Sequence, residues 1–96
     1  MYTIYALLDP RDSQVRYVGV TRQPLKRRLH GHIARSTEST SAWVKELRAL
    51  SLRPSIVPLE VRQTDDRAAD AEIKWILYYA KLGNLLNIKR TRICCR

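Results

Sequence analysis

An amphipathic helix pattern at residues 67–82 has a single carboxylate on its apolar side. When these residues are wound at ~100° each, Glu72 falls at the centre of the apolar face. The residues that share this face are Ala68, Ala69, Trp75, Ile76, Tyr79 and Ala80, and those on the opposite face are Arg67, Asp70, Lys74 and Lys81. A carboxylate that faces a core is costly unless it is paired, hydrogen-bonded or bound to a metal. Glu72 is therefore either a buried structural partner or a functional group in a cleft, and spacing alone leaves both interpretations open.

Length and charge indicate the size of the domain and the kind of partner that it binds. A chain of 96 residues is long enough for one domain with one modest core. The net charge of +9 and the isoelectric point near 10.2 favour a polyanionic partner, with nucleic acid first and an anionic membrane second. The basic residues cluster at residues 22–35 and 89–96, which favours a binding surface over a merely soluble basic protein. The chain has neither a long apolar run nor a signal-peptide pattern, and these absences predict a cytoplasmic protein.

Alternation and turn chemistry predict the remaining elements. Residues 2–8 and 15–20 are β-rich runs around a turn at residues 9–13, which is the pattern of a hairpin. The elements predicted after it are a helix opened by Pro24 and running to about residue 34, a helix from about Ser41, a strand at residues 56–61, and the helix that bears Glu72, capped by Asp65 or Asp66 and ended by Gly83. The predicted order is therefore β-β-α-α-β-α.

The first predicted helix combines an apolar stripe with a basic flank. Leu25, Leu29 and Ile33 form the stripe, and Arg28 and His32 are neighbours one helical turn apart on its flank. Taken alone, such a basic flank is more often a solvated surface than a site.

Five short motifs follow one another along nearly the whole chain. They are Thr3-Ile4-Tyr5, Tyr17-Val18-Gly19, Arg28-Leu29 with His32, Glu72 with Trp75-Ile76, and Leu85-Leu86-Asn87. Each tripeptide alone is weak evidence of a relationship. Taken together, the order and spacing of the five motifs resemble those of the GIY-YIG nuclease family. Two positions depart from the family pattern: Thr3 stands in place of the first glycine, and Val20 stands where some relatives have a lysine.

The resemblance implies an α/β (α+β) fold, a small three-stranded and largely antiparallel sheet flanked by helices. Residues 1–96 are predicted to form a single nuclease domain, without the separate DNA-binding domain that relatives commonly attach. The implied activity is the hydrolysis of DNA phosphodiesters with one divalent cation. Glu72 would be the only protein carboxylate on this metal, which suits Mg²⁺ because that ion keeps several waters. Mn²⁺ could substitute for it.

The resemblance also assigns roles to the residues of the motifs. Tyr5 and Tyr17 would share one sheet face if the register pairs their strands suitably, and Tyr17 is the predicted base that deprotonates the attacking water. Arg28 would favour the phenolate and brace the phosphoryl oxygens. His32 would act as a proton relay or a phosphate ligand, and Asn87 would hold the geometry of the site by hydrogen bonding.

DNA contacts are predicted from the basic segment around the first helix. The residues assigned to them are Arg22, Lys26, Arg27, Arg35 and Ser41, although an N-cap position is the favoured interpretation of Ser41. Arg22 or Lys26 could also supply the positive charge that a lysine at position 20 would give. Two other functions stay open at this point, a catalytically inactive nucleic-acid-binding module of the same fold and an interaction domain for an acidic protein.

Overall fold

The computed structural model describes residues 1–34, 40–81 and 85. Its helices and strands are β1 (Tyr2–Leu8), β2 (Val15–Thr21), α1 (Leu25–Ala34), α2 (Ser41–Ala49), β3 (Ser55–Arg62) and α3 (Asp65–Ala80). The predicted order β-β-α-α-β-α is confirmed, and each element lies within a few residues of its predicted position. Within the described ranges, no helix is both long enough and apolar enough to cross a membrane.

The three strands form one antiparallel sheet in the order β2-β1-β3. Tyr5 of the central strand β1 lies opposite Gly19, and Leu7 lies opposite Tyr17. Since side chains alternate between the two faces of a strand, this register puts Tyr5 and Tyr17 on the same face. The register therefore pairs the strands as the shared face of the two tyrosines requires. The α+β fold class is confirmed.

Proline in β3 is accommodated by an irregularity at the edge of the sheet. The register shifts between Ile4 and Tyr5, which lie opposite Glu60 and Pro58 respectively. Proline cannot donate a ladder hydrogen bond and is tolerated on edge strands and at bulges. The strand at residues 56–61 is thus compatible with its internal Pro58.

Each face of the sheet has its own apolar cluster. Against α3 lie the buried residues Ile4, Val18, Ala68, Ala71, Ile76 and Leu85. The other face, below α1 and α2, buries Tyr5, Leu7, Tyr17, Trp43, Val44 and Leu47. Consecutive residues of β1 supply both clusters, so this strand is the shared wall of two half-cores.

A buried carboxylate ties the β1–β2 turn to α2. Asp9 is fully buried, and it accepts hydrogen bonds from Arg11 Nε at 2.9 Å, Arg11 Nη2 at 2.7 Å and Trp43 Nε1 at 3.0 Å. The hydrogen bond from Arg11 is the main reason why the pKa of Asp9 is lowered far below its usual range. Arg11 extends the link by donating from Nη1 to Glu46 on α2 at 2.6 Å. This network was not predicted, because the sequence around Asp9 indicates only a turn.

A second carboxylate fastens α3 to the edge strand β3. Glu60 Oε1 accepts hydrogen bonds from Trp75 Nε1 and from Lys74 Nζ, both at 2.8 Å. These contacts, led by the one from Lys74, lower the pKa of Glu60. Arg62 pairs with the other oxygen of the same carboxylate. The orientation of α3 on the sheet is therefore set by polar contacts as well as by the apolar cluster.

The predicted helix caps were wrong by one or two residues. Thr64 is the N-cap of α3 and accepts a hydrogen bond from Arg67 N at 3.4 Å, whereas Asp65 and Asp66 lie in the first turn. The helix dipole favours acidic side chains there.

The N-cap of α2 is Thr40, and Ser41 is the first residue of that helix. Similarly, Pro24 directly precedes α1 and its carbonyl accepts from Arg28 N at 3.1 Å. The predicted stop at Gly83 lies outside the described residues.

Candidate active site

The hydroxyl of Tyr5 is held between two side chains of α1. Its oxygen lies 2.6 Å from His32 Nε2 and accepts a hydrogen bond from Arg28 Nε at 3.1 Å. Arg28 and His32 are four residues apart, so one face of α1 presents both of them to the sheet. Tyr5 and His32 are buried, and Arg28 is half-buried. The structure thus brings together three of the residues that were predicted to be catalytic.

The direction of these hydrogen bonds follows from the chemistry of the three groups. A guanidinium can only donate, so the oxygen of Tyr5 is the acceptor from Arg28. Burial, followed by the charge of Arg28, lowers the pKa of His32 to about 4, so this imidazole is neutral at neutral pH. An unprotonated Nε2 can accept a hydrogen bond from the phenolic O–H of Tyr5. The one ring proton of the neutral imidazole is then on Nδ1. Within the described part of the chain, Nδ1 is buried without a hydrogen-bond partner.

Tyr5 itself is a neutral phenol in this arrangement. Burial raises its pKa to about 12, and the hydrogen bond from Arg28 opposes this effect only in part. Negative charge on Tyr17 or Glu72 contributes in the same direction as burial. Tyr5 is therefore suited to hold Arg28 and His32 rather than to remove a proton at neutral pH.

Tyr17 completes a cluster of three rings. Its centroid lies 6.4 Å from that of Tyr5 and 5.2 Å from that of His32, with an edge contact to the imidazole. Tyr17 is 4% exposed, so it lies just below the surface. The two predicted tyrosines and the predicted histidine are thus direct neighbours.

Gly19 makes room for these rings. A Cβ atom at this position would lie 2.5 Å from the Tyr5 hydroxyl oxygen, 2.7 Å from Tyr5 Cζ and 2.9 Å from Tyr17 Cε2. Distances this short are not tolerated between non-bonded atoms, so the ring of Tyr5 can lie over the strand only because residue 19 has no side chain. This role of Gly19 was not predicted from the Tyr17-Val18-Gly19 motif.

A basic groove runs beside the tyrosine cluster on the outer side of α1. It has a volume of about 820 Å³ and is lined by Gln23, Lys26, Arg27, Arg28, His30, Gly31 and Ala34. Two of the predicted DNA contacts, Lys26 and Arg27, lie here. Arg28 belongs both to the groove and to the tyrosine cluster, so its guanidinium joins the two. A groove with this charge suits a phosphate backbone.

The other predicted DNA contacts are placed differently. Arg22 lies over the ring of Tyr2, with its Cζ 5.4 Å from the ring centroid. Ser41 is half-buried at the start of α2. Arg35 and the predicted catalytic residue Asn87 lie outside the described residues.

Glu72 is half-buried rather than central in the packed face of α3. Ala68, Ala71 and Ile76 are the buried residues of this helix, whereas Ala69, which was predicted to face the core, is exposed. The packed face is therefore rotated away from Ala69, because the sheet meets the helix on the side of Ala71. This rotation leaves Glu72 at the margin of the core, where a carboxylate can reach solvent.

Glu72 lines a second cavity at the end of the sheet. This cavity has a volume of about 270 Å³, and its other lining residues are Tyr2, Val20, Asp65, Ala68 and Ala69. Its strand residues Tyr2 and Val20 pack towards α3. The charge of Glu72 nevertheless acts on Tyr5, since it contributes to the raised pKa of that phenol.

The donor set around Glu72 is compatible with a hard divalent cation. Among residues 1–34, 40–81 and 85, no group of three or more His, Cys, Asp or Glu side chains is arranged to hold a metal ion. A zinc site needs about four such ligands or three and a water. Mg²⁺ instead keeps most of its waters and uses one or two carboxylates. Glu72, as a single half-buried carboxylate, fits that requirement.

The buried imidazole makes a testable contribution to stability. The pKa of His32 is about 4 in the folded chain, against an ordinary value near 6.5 when unfolded. Between these values only the unfolded state binds the proton, so the free energy of unfolding should fall by ~3 kcal/mol as the pH drops from about 6.5 to 4. Denaturant titrations at several pH values across this range give the free energy of unfolding as a function of pH. This dependence on pH should be weaker in His32→Gln than in the wild type, whereas replacing the exposed His30 by Gln should leave it unchanged. An unchanged dependence in His32→Gln would contradict this assignment.

Comparison with known protein families gives a match over most of the chain. A family model described as the GIY-YIG catalytic domain matches residues 1–87 of the 96-residue chain. Neither a curated protein nor a solved structure matches.

Proposed function

Because the chain belongs to the GIY-YIG catalytic-domain family, whose members are nucleases that act on DNA, we propose that it is an endonuclease that hydrolyses DNA phosphodiesters with one divalent cation. The observation that supports this proposal most directly is the bonded group of Tyr5, Arg28 and His32 beside the basic groove. Arg28 donates to the buried hydroxyl of Tyr5 and also lines the groove. The groove supplies a place for the phosphate backbone, and Arg28 connects that place to the buried rings.

Arg28 is the residue that we assign to the phosphoryl group. Its Nε donates to the hydroxyl of Tyr5. Its Nη1 lies near Gly31, and a Cβ atom at residue 31 would be 3.9 Å from this nitrogen. Gly31 lines the groove, so the outer part of the guanidinium faces the same space. A planar guanidinium whose orientation is already fixed can hold phosphoryl oxygens without further ordering. His32 and Tyr5 then act through Arg28, by fixing its position.

Tyr17 remains our candidate for the base that deprotonates the attacking water. Tyr5 is disfavoured in this role, since burial raises its pKa to about 12. Tyr17 lies next to the same imidazole and closer to the surface. The positive charge of Arg28 would favour its phenolate. We keep Asn87 as a residue that would hold the geometry of the site.

Glu72 is the proposed protein ligand of the cation, with Mg²⁺ as the first candidate and Mn²⁺ as a substitute. Such an ion polarises the phosphate and stabilises the charge on the leaving oxygen. What Glu72 itself contributes is a half-buried oxygen ligand at the end of the sheet. Lys26, Arg27, Arg22, Arg35 and Ser41 remain the proposed DNA contacts.

Replacing Glu72 tests this assignment. Glu72→Gln keeps the shape of the side chain and removes its charge, so cleavage of supercoiled plasmid and of a labelled single strand should fall at least about hundredfold with either metal. Cleavage should also stop when a chelator is added to the wild type. Asp70→Asn, an exposed carboxylate on the same helix, is the matched control and should cut normally.

The same assay separates the endonuclease from the inactive binding module. If the wild type binds both DNAs in a salt-dependent manner but cuts neither with Mg²⁺ or Mn²⁺, the endonuclease assignment is wrong and the binding module replaces it. If Glu72→Gln cuts as fast as the wild type, the cation is held elsewhere.

A further inference from the structure

The helix α3 carries apolar side chains on its outer face as well as on the face that packs against the sheet. Its buried residues are Ala68, Ala71 and Ile76. On the other side of the helix, Ile73 and Leu77 are 38% and 47% exposed. A surface helix of a globular protein typically has one apolar face and one polar face. The apolar outer face of α3 is therefore a candidate interface.

The apolar residues of this face form a continuous outer stripe, which consists of Ala69, Ile73, Leu77 and Ala80. They follow one another at intervals of four, four and three residues, which puts them on one side of a helix. Ala69 is exposed like Ile73 and Leu77, and Ala80 is half-buried. At ~1.5 Å per residue, the outer stripe is about 16 Å long. Contiguous apolar surface of this kind marks an interaction site more often than single exposed residues do.

The outer stripe has an opposite charge at each end. Asp66 lies at its amino-terminal end and Lys81 at its carboxyl-terminal end, and both are exposed. They belong to the same side of the helix, because Asp66 is three residues before Ala69 and Lys81 is four residues after Leu77. Within the part of the chain that the structure describes, neither takes part in a salt bridge. Both charges are therefore available to another molecule.

This arrangement is complementary to itself when two copies of α3 lie antiparallel. A two-fold axis between residues 73 and 74 would set Asp66 of each copy opposite Lys81 of the other, since both are about 11 Å from the axis along the helix. The two Ile73 side chains would meet at the axis, and each Leu77 would lie beside the small Ala69 of the other copy. A parallel pair would instead bring like charges together at both ends. The charges thus select a second copy in the antiparallel orientation.

We propose that the outer stripe of α3 is the interface of a symmetric, antiparallel dimer of this chain. Glu72 directly precedes Ile73 and therefore points about 100° around the helix from the centre of the interface. The basic groove beside α1 is lined by residues of another element. A dimer of this kind leaves the proposed cation ligand and the groove uncovered in both copies, and it goes beyond the proposed function without depending on it.

The size of the helix sets the strength of this dimer. A helix of 16 residues is about 24 Å long and about 10 Å wide, so one helix pair buries much less than the ~800 Å² per protein of a standard interface. The net charge of +9 adds repulsion between the copies. We therefore expect a weak dimer, with a dissociation constant on the order of 100 μM at ~150 mM salt, where repulsion is screened beyond about 8 Å.

Analytical ultracentrifugation of the full chain without DNA tests the interface. As the protein concentration rises from about 5 to about 500 μM around the expected dissociation constant, the average mass should rise from 11.2 kDa towards twice that value. Leu77→Glu places a carboxylate in the apolar contact of each copy, so it should raise the dissociation constant at least about tenfold. Leu50→Glu is the matched control, because Leu50 is 54% exposed after α2 and receives the same change in charge. Thermal melts at low concentration show that both variants are folded.

Exchanging the two end charges tests the antiparallel orientation. Asp66→Lys and Lys81→Asp each replace two attractive contacts of the dimer by two repulsive ones, so each variant alone should dimerise at least about fivefold more weakly than the wild type. In an equimolar mixture of the two variants, every end of the mixed dimer again joins opposite charges. The mixture should therefore dimerise more tightly than either variant alone, although neither chain has changed in fold or composition on mixing.

Three results would overturn the proposal. One is a wild type that stays monomeric over the whole concentration range. Another is a mixture of the charge variants that associates no better than its components, which would exclude the antiparallel pair. The third is a Leu77→Glu variant that dimerises as tightly as Leu50→Glu. If Leu77→Glu instead lowers the melting temperature of a chain that is monomeric throughout, the outer stripe is covered within one chain. No DNA is present in these measurements, so their outcome is independent of the nuclease assignment.

Discussion

Gly19→Ala should reduce DNA cleavage about hundredfold and lower the free energy of unfolding by about 1–3 kcal/mol. The added methyl group would lie 2.5 Å from the Tyr5 hydroxyl oxygen and 2.9 Å from Tyr17 Cε2. Both rings must then move. Tyr5 is the acceptor that orients Arg28 Nε, so its displacement also releases the guanidinium that we assign to the phosphate. A displacement of about 1 Å in a positioned catalytic group is enough for an effect of this size.

Two comparisons show whether the loss comes from this steric conflict. Gly31→Ala adds the same methyl group at a position where the nearest atom, Arg28 Nη1, is 3.9 Å away, so it should keep or raise the melting temperature, as alanine does in a helix. Tyr5→Phe removes the oxygen that holds Arg28 and should also reduce cleavage, but without overpacking the sheet. The explanation is wrong if folded Gly19→Ala cuts DNA as fast as the wild type.

Asp9→Asn should be the most destabilising of the carboxylate-to-amide changes considered for this chain, with a loss of about 2–3 kcal/mol in the free energy of unfolding. The carboxylate is fully buried and receives three side-chain hydrogen bonds, two from Arg11 and one from Trp43. Breaking a buried pair by removing one partner typically costs 3–5 kcal/mol. The value here is smaller because the Arg11 side chain is 36% exposed and keeps water and Glu46 as partners. Urea titration of the wild type and of Asp9→Asn measures this difference in the free energy of unfolding directly.

The control for Asp9 is the other carboxylate on Arg11. Glu46 is 59% exposed in its side chain, so Glu46→Gln should cost less than ~1 kcal/mol. The pH dependence gives a second check. The pKa of Asp9 is lowered on folding, so its contribution is complete above the ordinary value near 3.9 and is lost as the pH falls below it. Asp9→Asn should therefore weaken the acid denaturation of the wild type below about pH 4, whereas His32→Gln should act above it. Equal stability of Asp9→Asn and Glu46→Gln would show that the buried network contributes little.

Local patterns in the sequence were sufficient for the elements and for the tyrosine pair. Alternation and turn residues predict β1 and β2, and the hairpin between them brings Tyr5 and Tyr17 onto one face. Helical spacing alone places Arg28 and His32 side by side. These features depend on residues that are close in sequence or joined by one hairpin, so local rules describe them well.

Contacts between distant residues were not predictable in the same way. Asp9 meets Trp43 across 34 positions, and Glu60 meets Trp75 across 15. Nothing in the period of a helix or strand specifies such pairs, because they depend on how the elements pack. The position of Glu72 illustrates the same limit: the pattern puts it at the centre of the apolar face, but the sheet meets α3 on the side of Ala71 and leaves Glu72 at the margin.

The shared strand β1 has a consequence for how this chain can change through evolution. Ile4 belongs to the half-core below α3, whereas its neighbour Tyr5 belongs to the half-core below α1 and α2. Substitutions in different half-cores should have additive effects, because residues that are well separated and share no partner rarely couple. Epistasis should concentrate along β1 itself. The apolar residues of the two half-cores can therefore diversify independently, while a one-residue insertion in β1 would exchange the walls of both and disable them together.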